Sequence, residues 1–454
     1  MKEVLSPSRP AIVQDETKRI RELFQENVVP SYSRFDIALK CGQGSYVWDA
    51  NGKRYLDLGG GIAVCSLGHA HPEMAKALSA QSQTLIHVSN LYYNELQGQL
   101  AKRIVDLIAP GRVFFCNSGA EANEGLFKFA RKFGHDSGRY EIITTTDSFH
   151  GRTLAGIAAT GQEKVKKGFE PAVEGFKQVP FNDLEAMRCA ITKSTAAILI
   201  EPVQGESGIT IATPEYLTGL RKLCDEQNLL LLFDEVQAGH FRTGKFQSWQ
   251  RILEVGAGHP NRSEPDGRSR AIEVNRPYLP DAVSMAKSLG GGFPIAAFWV
   301  REKFADVLST GSHASTFGGT PLACAVALRI FSTIEREKLA DNARALGEFL
   351  QRELQALQQK FPKIVKVVRG LGLMIGIEFQ PQFNAVEMVK ELHKRSLLTV
   401  PAGNSVIRLL PALNLSRDEA EEGLRAIKKL VVALAEQEQD QDQDQDQEEE
   451  EDSK

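Results

Sequence analysis

The sequence predicts an α/β protein with a mostly parallel central sheet in a large domain, followed by a smaller α+β domain. The segments Ala196–Pro202 and Leu229–Asp234 are short apolar runs, typical of strands that are buried on both faces. The segment between them, "EYLTGLRKLCDEQ", has helical spacing, and this strand–helix–strand order indicates a parallel sheet covered by helices. From about Pro321 the pattern changes to a long helix, short strands and a last helix from Arg417, which indicates the smaller domain.

The elements that precede this unit are predicted from similar patterns. The stretch "GSYVWDANGKRYLDLGGG" alternates around Asn51-Gly52, which is a strong hairpin signal. Helical spacing follows at Glu73–Leu85 and Glu95–Leu107, and a strand at Arg112–Cys116 then leads into the helical stretch "GAEANEGLFKFARKFG". We therefore expect an N-terminal segment that packs with the small domain (1–75), a large domain (76–320), a small domain (321–436) and an acidic tail (437–454).

Two segments are expected to lie outside the packed cores. Residues Arg251–Leu279 are rich in Gly, Pro, Asn, Ser and Arg, and their weak periodicity indicates a surface insertion in the large domain. The tail 437–454 carries ten acids and one lysine, and its low complexity predicts disorder. Without the tail the chain has 53 basic and 48 acidic residues, and a net charge of +5 suits small anionic substrates better than nucleic acid.

The cysteines and the apolar runs limit the class of protein. Six cysteines are scattered without a CxxC pair, which predicts a reduced, cytoplasmic protein with no disulfide framework and no metal site. We find no run of about 18 apolar residues, so no membrane helix is expected. The first residues lack the apolar core of a secretory signal.

Several polar motifs follow predicted strands, and ligands bind at the carboxyl ends of strands in open parallel sheets. In "NSGAEAN", Ser118, Gly119 and Ala120 open a helix and form a candidate phosphate site, although a simple tight turn would look the same. In "SFHGRT", Phe149 is a candidate for stacking on a flat ring and Arg152 for binding a carboxylate. The simpler interpretations are that Phe149 belongs to the core and that Arg152 lies at the surface.

Acids and a lysine complete the pattern. Glu201 in "EPVQGESG" and Asp234 in "LLLLFDEVQAG" end neighbouring strands, whereas Glu235 points to the other face and is expected to have a structural partner. Lys287 in "AVSMAKSLGGGFPI" sits between an apolar strand and a glycine-rich turn, where desolvation favours its neutral, nucleophilic form. A phosphate cradle, a stacking ring, a buried acid, a nucleophilic lysine and a carboxylate-binding arginine are together what pyridoxal 5'-phosphate chemistry requires.

The chain resembles the class III pyridoxal-phosphate aminotransferases, which have the fold-type I architecture. The resemblance covers roughly residues 31–430 and is carried by nine motifs in order, among them "FFCNSGAEANE", "EPVQGE", "FDEVQAG", "AKSLGGGFPI" and "STFGGTPLACA". It implies that Lys287 binds the cofactor and moves the proton, that Asp234 pairs with the pyridine nitrogen and that Gln237 contacts the ring oxygen. It also implies that Thr316 reaches the phosphate of a neighbouring subunit, and hence a homodimer with shared sites.

The same resemblance implies a small-molecule amino donor with 2-oxoglutarate as acceptor. Arg152 is expected to bind the far carboxylate and Arg408 the carboxylate next to the reacting carbon, with Glu201 pairing with Arg408 when that carboxylate is absent. The stretch "HVSNLYY" favours N2-acetylornithine as donor, with Ser89 and Asn90 near its tail. Ornithine, succinyl-diaminopimelate and 4-aminobutyrate are the alternative donors.

Three positions depart from the family pattern. His240 and Phe241 replace a smaller, glycine-containing turn, and Thr320 stands where Asn is usual. An inactive relative of the fold and a nucleotide-binding protein are the two alternatives to an aminotransferase. A catalytically inactive relative of the fold would not need the combination of Lys287, Asp234 and Arg152. A nucleotide-binding protein would need a phosphate-loop lysine motif, which the sequence does not contain.

Overall fold

The computed structural model describes residues 15–256 and 280–452. The expected insertion 251–279 therefore lies mostly outside the described residues, as do residues 1–14. Its first six residues are not an excursion, because they belong to a packed helix, Ser248–Gly256, in which Ile252 is buried. The prediction that the insertion begins at Arg251 is therefore wrong.

The large domain is built on a seven-stranded sheet. Its strands, in spatial order, are β4 (Gly111–Cys116), β12 (Ala296–Arg301), β11 (Ala282–Met285), β10 (Leu230–Asp234), β7 (Thr195–Ile200), β5 (Glu141–Thr145) and β6 (Phe176–Val179). β12 runs antiparallel to both of its neighbours, and the other pairs are parallel. The α/β prediction is confirmed, and every residue of β7, β10 and β11 is buried because helices cover both faces.

In the described part of the chain, three helices longer than four residues precede the first strand of this sheet, and five more lie between its strands. They are α1 (Glu16–Asn27), α2 (Pro72–Ser82), α3 (Glu95–Ile108), α4 (Gly119–Gly134), α5 (Leu154–Ala159), α6 (Leu184–Ala190), α7 (Pro214–Gln227) and α8 (Ser248–Gly256). A ribbon of two short strands, β8 (Val203–Gln204) and β9 (Thr210–Ile211), follows β7. A single helical turn, Lys287–Leu289, follows β11.

The C-terminal part contains a four-stranded antiparallel sheet in the order β13 (Val365–Leu371), β14 (Met374–Phe379), β17 (Val406–Leu409) and β16 (Val400–Ala402). Its helices are α9 (Pro321–Arg336), α10 (Leu339–Lys360), α11 (Ala385–Lys394) and α12 (Arg417–Asp452). Near the N-terminus, β1 (Leu39–Gln43), β2 (Tyr46–Asp49) and β3 (Arg54–Asp57) form a sheet, with the predicted hairpin between β2 and β3. The short strand β15 (Leu397–Leu398) pairs in parallel with β3 and so joins this N-terminal sheet to the C-terminal part.

The acidic tail differs from its prediction. α12 continues to Asp452, so the structure has helix through most of the segment that composition predicts to be disordered. The first half of this helix packs into the core through Ala420, Leu424, Ile427 and Leu430, which supplies a formed helix to extend. None of the described helices is long and apolar enough to cross a membrane.

Candidate active site

A cavity of about 400 Å³ lies at the carboxyl edge of the large sheet, where turns after β4, β5, β7, β10 and β11 converge. A cavity of this size is typical of small-molecule sites. Nine of the residues selected from the sequence line it: Ser118, Gly119, Ala120, Phe149, Arg152, Glu201, Asp234, Gln237 and Lys287. The convergence expected of strand-end motifs is therefore observed.

The turn before α4 has the features of an anion site. Ser118 is the N-cap of the helix, and its Oγ accepts the backbone N–H of Glu121 at 3.2 Å. The first N–H groups of a helix have no partner within it, and the helix dipole makes this end positive. Gly119 is required for close packing, since a Cβ there would lie 2.7 Å from Cγ1 of Val236. A phosphate group is the natural ligand for such a turn.

Asp234 is buried at the end of β10 and is held by three donors. Its Oδ2 accepts from Nδ2 of Asn123 at 2.7 Å and lies 2.8 Å from Nδ1 of His150, and its Oδ1 accepts the N–H of Val236 at 3.0 Å. The Asn123 amide is oriented in turn by the Ser284 hydroxyl, at 2.6 Å from Oδ1 of Asn123. These partners fix the orientation of the Asp234 carboxyl group. Oδ1, with a single partner among the described residues, can accept a further N–H from a ligand.

Sequence reasoning did not assign Asn123 and His150 to this carboxylate. Both lie inside quoted motifs: Asn123 is one turn after Gly119 on α4, and His150 is next to Phe149. Helical spacing placed Asn123 on the same face as the anion site, but its contact with Asp234 joins residues 111 positions apart. Such a contact leaves no local signal in one sequence.

Glu235 has the structural partner that was expected. Its Oε1 accepts the Ser248 hydroxyl at 2.7 Å and the Trp249 N–H at 3.1 Å, and its Oε2 accepts the Ser248 N–H at 3.0 Å. It therefore caps the N-terminus of α8. Burial raises the pKa of the Glu235 carboxyl to about 7, although these hydrogen bonds work in the opposite direction.

Lys287 follows β11 and is surrounded by charged groups. Burial lowers the pKa of its ammonium group, and the carboxylates of Glu206, Glu201 and Asp234 partly oppose that effect. Its backbone is in the left-handed region, with φ of 44°, an unfavourable conformation for a side chain of this kind. Strain of this sort persists where surrounding contacts hold it, and it concentrates at functional sites.

Arg408 of β17 is buried against the cavity and forms a forked ion pair with Glu206. Its Nη1 and Nη2 lie 2.8 Å and 3.1 Å from the two carboxylate oxygens of Glu206. Gln237 Nε2 also donates to Glu206 at 3.0 Å. Burial alone would raise the pKa of Glu206, but the Arg408 guanidinium outweighs it and the pKa falls to about 2. Glu206 therefore stays ionised.

This pairing corrects the expectation that Glu201 is the partner of Arg408. Glu201 ends β7 and its Oε1 accepts the backbone N–H of Phe149 at 2.8 Å. Glu206 lies in the loop between β8 and β9, five residues further on. The neighbouring Gly208 carbonyl accepts from Arg369 of β13 at 2.7 Å, so this loop faces the small sheet that carries Arg408. Strand spacing alone does not show which of the two acids the loop turns toward that sheet.

Four predicted residues are not among those that line the cavity: Arg408, which is paired with the lining residue Glu206, and the three residues Ser89, Asn90 and Thr316. Ser89 has φ of 63° and its Oγ accepts the N–H of Leu91 at 3.2 Å. Asn90 donates from Nδ2 to the carbonyls of Ser315 at 3.1 Å and Gly318 at 3.0 Å. Thr316 is exposed in the same loop. The roles of Ser89 and Asn90 near the donor and of Thr316 at the phosphate of a neighbouring subunit stay predictions.

The arrangement can now be compared with known proteins. The family model described as aminotransferase class-III matches residues 28–257 and 267–431. The chain belongs to the class-III aminotransferases. It is 43% identical over 418 residues to the acetylornithine aminotransferase of Gloeobacter violaceus, covering 91% of this chain and 98% of that one. It is 44% identical over 422 residues to that of Nostoc sp., covering 90% and 93% of the two chains.

Solved structures agree with this assignment. The ornithine aminotransferase of Toxoplasma gondii ME49 has a TM-score of 0.83 at 30% identity, covering 93% of this chain and 96% of that one. The acetylornithine aminotransferase of Elizabethkingia anophelis has a TM-score of 0.76 at 28% identity, covering 92% and 99%. The fold is therefore fold-type I, as the resemblance implied.

Class-III aminotransferases depend on pyridoxal phosphate, and the cavity fits that cofactor. A helix N-terminus suits its phosphate. The free acceptor capacity of Asp234 Oδ1 suits a protonated ring nitrogen, and the buried Lys287 amine suits its aldehyde. We find no cluster of His, Cys, Asp or Glu able to hold a metal ion within the described residues.

Proposed function

We propose that this class-III aminotransferase transfers the terminal amino group of N2-acetylornithine to 2-oxoglutarate, giving N-acetylglutamate 5-semialdehyde and glutamate, a reaction of arginine biosynthesis. The observation that carries the proposal is the Arg408–Glu206 pair beside Lys287. The Arg408 guanidinium can bind a carboxylate of one substrate, and it can stay paired with Glu206 when the other substrate is bound. The names of the relatives at 41–44% identity support this donor. Ornithine is the alternative, since ornithine aminotransferases are among the similar structures.

The chain's own groups account for the proton transfers. Bound pyridoxal phosphate supplies a ring that withdraws electrons from the carbon that loses its proton. Asp234 would hold the ring nitrogen, because Asn123 and His150 fix the orientation of its carboxyl group and leave Oδ1 able to accept a further N–H. Lys287 would hold the aldehyde carbon of the cofactor, and its Nζ, whose pKa is lowered by burial, would take up the proton from the carbon that bears the amino group.

The two substrates differ in whether a carboxylate lies beside the reacting carbon. Glutamate and 2-oxoglutarate have one, which displaces Glu206 from Arg408. Acetylornithine reacts at its terminal carbon, which has none, so Arg408 keeps Glu206 as its partner and is not left as a buried unpaired charge. The exposed Arg152 at the cavity wall is the group we propose for the far carboxylate of either substrate.

This mechanism predicts that Glu206→Ala affects the two half-reactions unequally. The acetylornithine half-reaction should slow at least about tenfold, because Arg408 loses its partner. The glutamate half-reaction should be preserved or accelerated, since the competing carboxylate is gone. Single-turnover absorbance changes of the bound cofactor measure both rates. Glu215→Ala, at an exposed acid in the first turn of α7, is the control, and an equal change in both half-reactions would contradict the mechanism.

A donor screen tests the substrate. Acetylornithine, ornithine, succinyl-diaminopimelate and 4-aminobutyrate are each offered with 2-oxoglutarate, and kcat/KM is compared. We expect the highest value for acetylornithine. A higher value for ornithine would favour the alternative, and a protein that binds pyridoxal phosphate without turning over any donor would contradict the enzyme function.

We propose further that the enzyme is a cytoplasmic homodimer with shared sites. All six cysteines are free thiols, which fits a reducing compartment. Thr316 is exposed, as a residue that reaches a partner's phosphate site must be.

A further inference from the structure

We propose that Glu201 is a positioning residue that acts as a neutral carboxylic acid, fixing the backbone that carries Phe149 and His150, and that it is not a counter-ion of Arg408. The proposal rests on the proposed function, because Phe149 and His150 matter only where a cofactor ring is bound. It assigns Glu201 a role different from the pairing with Arg408 that the family resemblance implies.

The geometry begins with the neighbouring strands β5 and β7. Glu201 comes directly after β7 and is 5% exposed, and Phe149 lies in the turn after β5. The carboxyl group accepts the Phe149 N–H at 2.8 Å and so bridges the two strand ends. On the far side, the His150 N–H donates to Oγ1 of Thr160 at 2.9 Å. The Glu201 bond therefore completes the anchoring of a two-residue segment.

That segment supplies the ring that we expect to stack on the cofactor and an imidazole that contacts Asp234. The side chain of Phe149 lines the cavity, and His150 Nδ1 lies 2.8 Å from Asp234 Oδ2. Because the two residues are consecutive, displacement of the Phe149 backbone would move the ring and the imidazole together. A single hydrogen bond at Glu201 thus helps to fix both the expected stacking ring and a partner of Asp234.

The protonation state of Glu201 follows from the neighbouring acids and from the donors that each acid has. Three acids, Glu201, Glu206 and Asp234, line one cavity. Glu206 has a forked guanidinium and Asp234 has an amide and an imidazole, so both have strong partners for a negative charge. The donor to Glu201 in the described chain is a single backbone N–H.

Burial, together with the neighbouring Asp234 carboxylate, accordingly raises the pKa of Glu201 well above its usual range. The Phe149 N–H and the Lys287 ammonium oppose this shift and do not reverse it. A protonated Glu201 still accepts the N–H through its carbonyl oxygen. It also places no negative charge beside Asp234, the residue that we propose holds the ring nitrogen.

The test compares Glu201→Gln with Glu201→Leu, and uses Glu206→Gln as the matched control. The amide of Gln is neutral and its oxygen can accept the same N–H, whereas Leu leaves that donor buried and unsatisfied. We measure pyridoxal phosphate affinity, the visible circular dichroism of the bound cofactor, which reports its tilt, and both half-reactions.

Glu201→Leu should weaken cofactor binding about tenfold, reduce the visible circular dichroism and slow both half-reactions in parallel. Glu201→Gln should restore cofactor affinity and dichroism to within about twofold of the parent. The same Glu-to-Gln change at 206 should leave both properties intact and slow the acetylornithine half-reaction selectively.

Two outcomes would overturn the proposal. One is a Glu201→Gln protein as defective as Glu201→Leu, which would show that a negative charge is needed. The other is a selective effect of Glu201→Gln on one half-reaction, which would restore the role of counter-ion. If the parent protein turned over no donor, the proposed function would fail, whereas cofactor affinity and dichroism would still separate the two Glu201 variants.

Discussion

At His240 and Phe241 the backbone adopts the left-handed conformation in two consecutive residues, with φ of 57° and 67°. This conformation costs roughly 1–2 kcal/mol for a residue with a side chain. Phe241 offsets it by packing its ring 5.5 Å from Phe246 and 6.2 Å from Phe331. His240 is buried, neither ring nitrogen has a partner in the described structure, and burial lowers its pKa to about 3. The imidazole is therefore neutral at physiological pH.

The strain at Phe241 can be measured by comparing two truncations. Phe241→Ala loses the ring contacts and keeps the strain, and should lower the free energy of unfolding by about 2–3 kcal/mol. Phe241→Gly loses the same contacts and relieves the strain, so it should be more stable than Phe241→Ala by about 1 kcal/mol. Chemical unfolding of the apoprotein measures the difference. At Phe133, in helix α4, the order should be reversed. A less stable Gly variant at 241 would contradict the argument.

Sequence reasoning located the cavity residues that lie at the ends of strands, and their roles stay predictions. Asp234 and Lys287 each follow an apolar strand of the parallel sheet, and the rule that ligands bind there identified both. It failed at Glu206, because Glu201 and Glu206 are five residues apart and strand spacing does not show which of the two faces the sheet that carries Arg408. The left-handed backbone of Lys287 also has no local signal, since tertiary contacts hold it.

At the scale of elements, the loop 315–319 is held by the N-terminal end of α3 and the residues just before it. Asn90 donates to two carbonyls of this loop and accepts from Gln97 Nε2 at 3.0 Å, and Asn94 donates to the Gly319 carbonyl at 3.3 Å. Gly318 packs against the end of β4 so closely that a Cβ would lie 2.0 Å from the Phe115 carbonyl. Within one chain Asn90 therefore clamps the loop that presents Thr316.

This clamp predicts the behaviour of Asn90→Ala. The loop should loosen, and the affinity for pyridoxal phosphate should fall about five- to tenfold as two hydrogen bonds are lost. The KM for acetylornithine should stay within about twofold, because the contacts of the Asn90 side chain are with protein. Cofactor titration and steady-state kinetics measure the two quantities. Gln99→Ala, at an exposed position of α3, is the control. A raised KM with unchanged cofactor affinity would instead support the substrate contact expected from the sequence.

At the scale of the whole molecule, the parts of the fold that local sequence patterns do not predict depend on contacts between residues far apart in the chain. The hairpin was predictable from its alternating pattern and its Asn51-Gly52 turn, and the buried strands were predictable from their apolar runs. The parallel pairing of β3 with β15 joins Leu56 to Leu397, and no local pattern marks it. The helix through the acidic tail differs from a composition-based prediction because its first half is packed, and composition does not register packing.

One face of the chain exposes large apolar side chains beside the Asn90 clamp. Leu91 is 85% exposed, Tyr92 is 70% exposed and Phe317 is 61% exposed, and Tyr93 is also fully exposed. His87 contacts Phe317, with ring centroids 5.4 Å apart, so the two segments form one surface. Monomeric proteins rarely expose contiguous apolar patches of this kind, and their presence supports the proposed homodimer.

If this face joins two subunits, Leu91→Asp combined with Tyr93→Asp should separate them. Two buried interface side chains replaced by charges cost about 4 kcal/mol, which corresponds to roughly a thousandfold in dimer dissociation constant. Because Thr316 lies in the loop held beside this face, the separated subunits should also lose pyridoxal phosphate. Sedimentation velocity and cofactor content measure both effects. Tyr140→Asp, at an exposed tyrosine before β5, should change neither. A parent protein that sediments as a monomer while fully active would show that each cavity is complete within one chain.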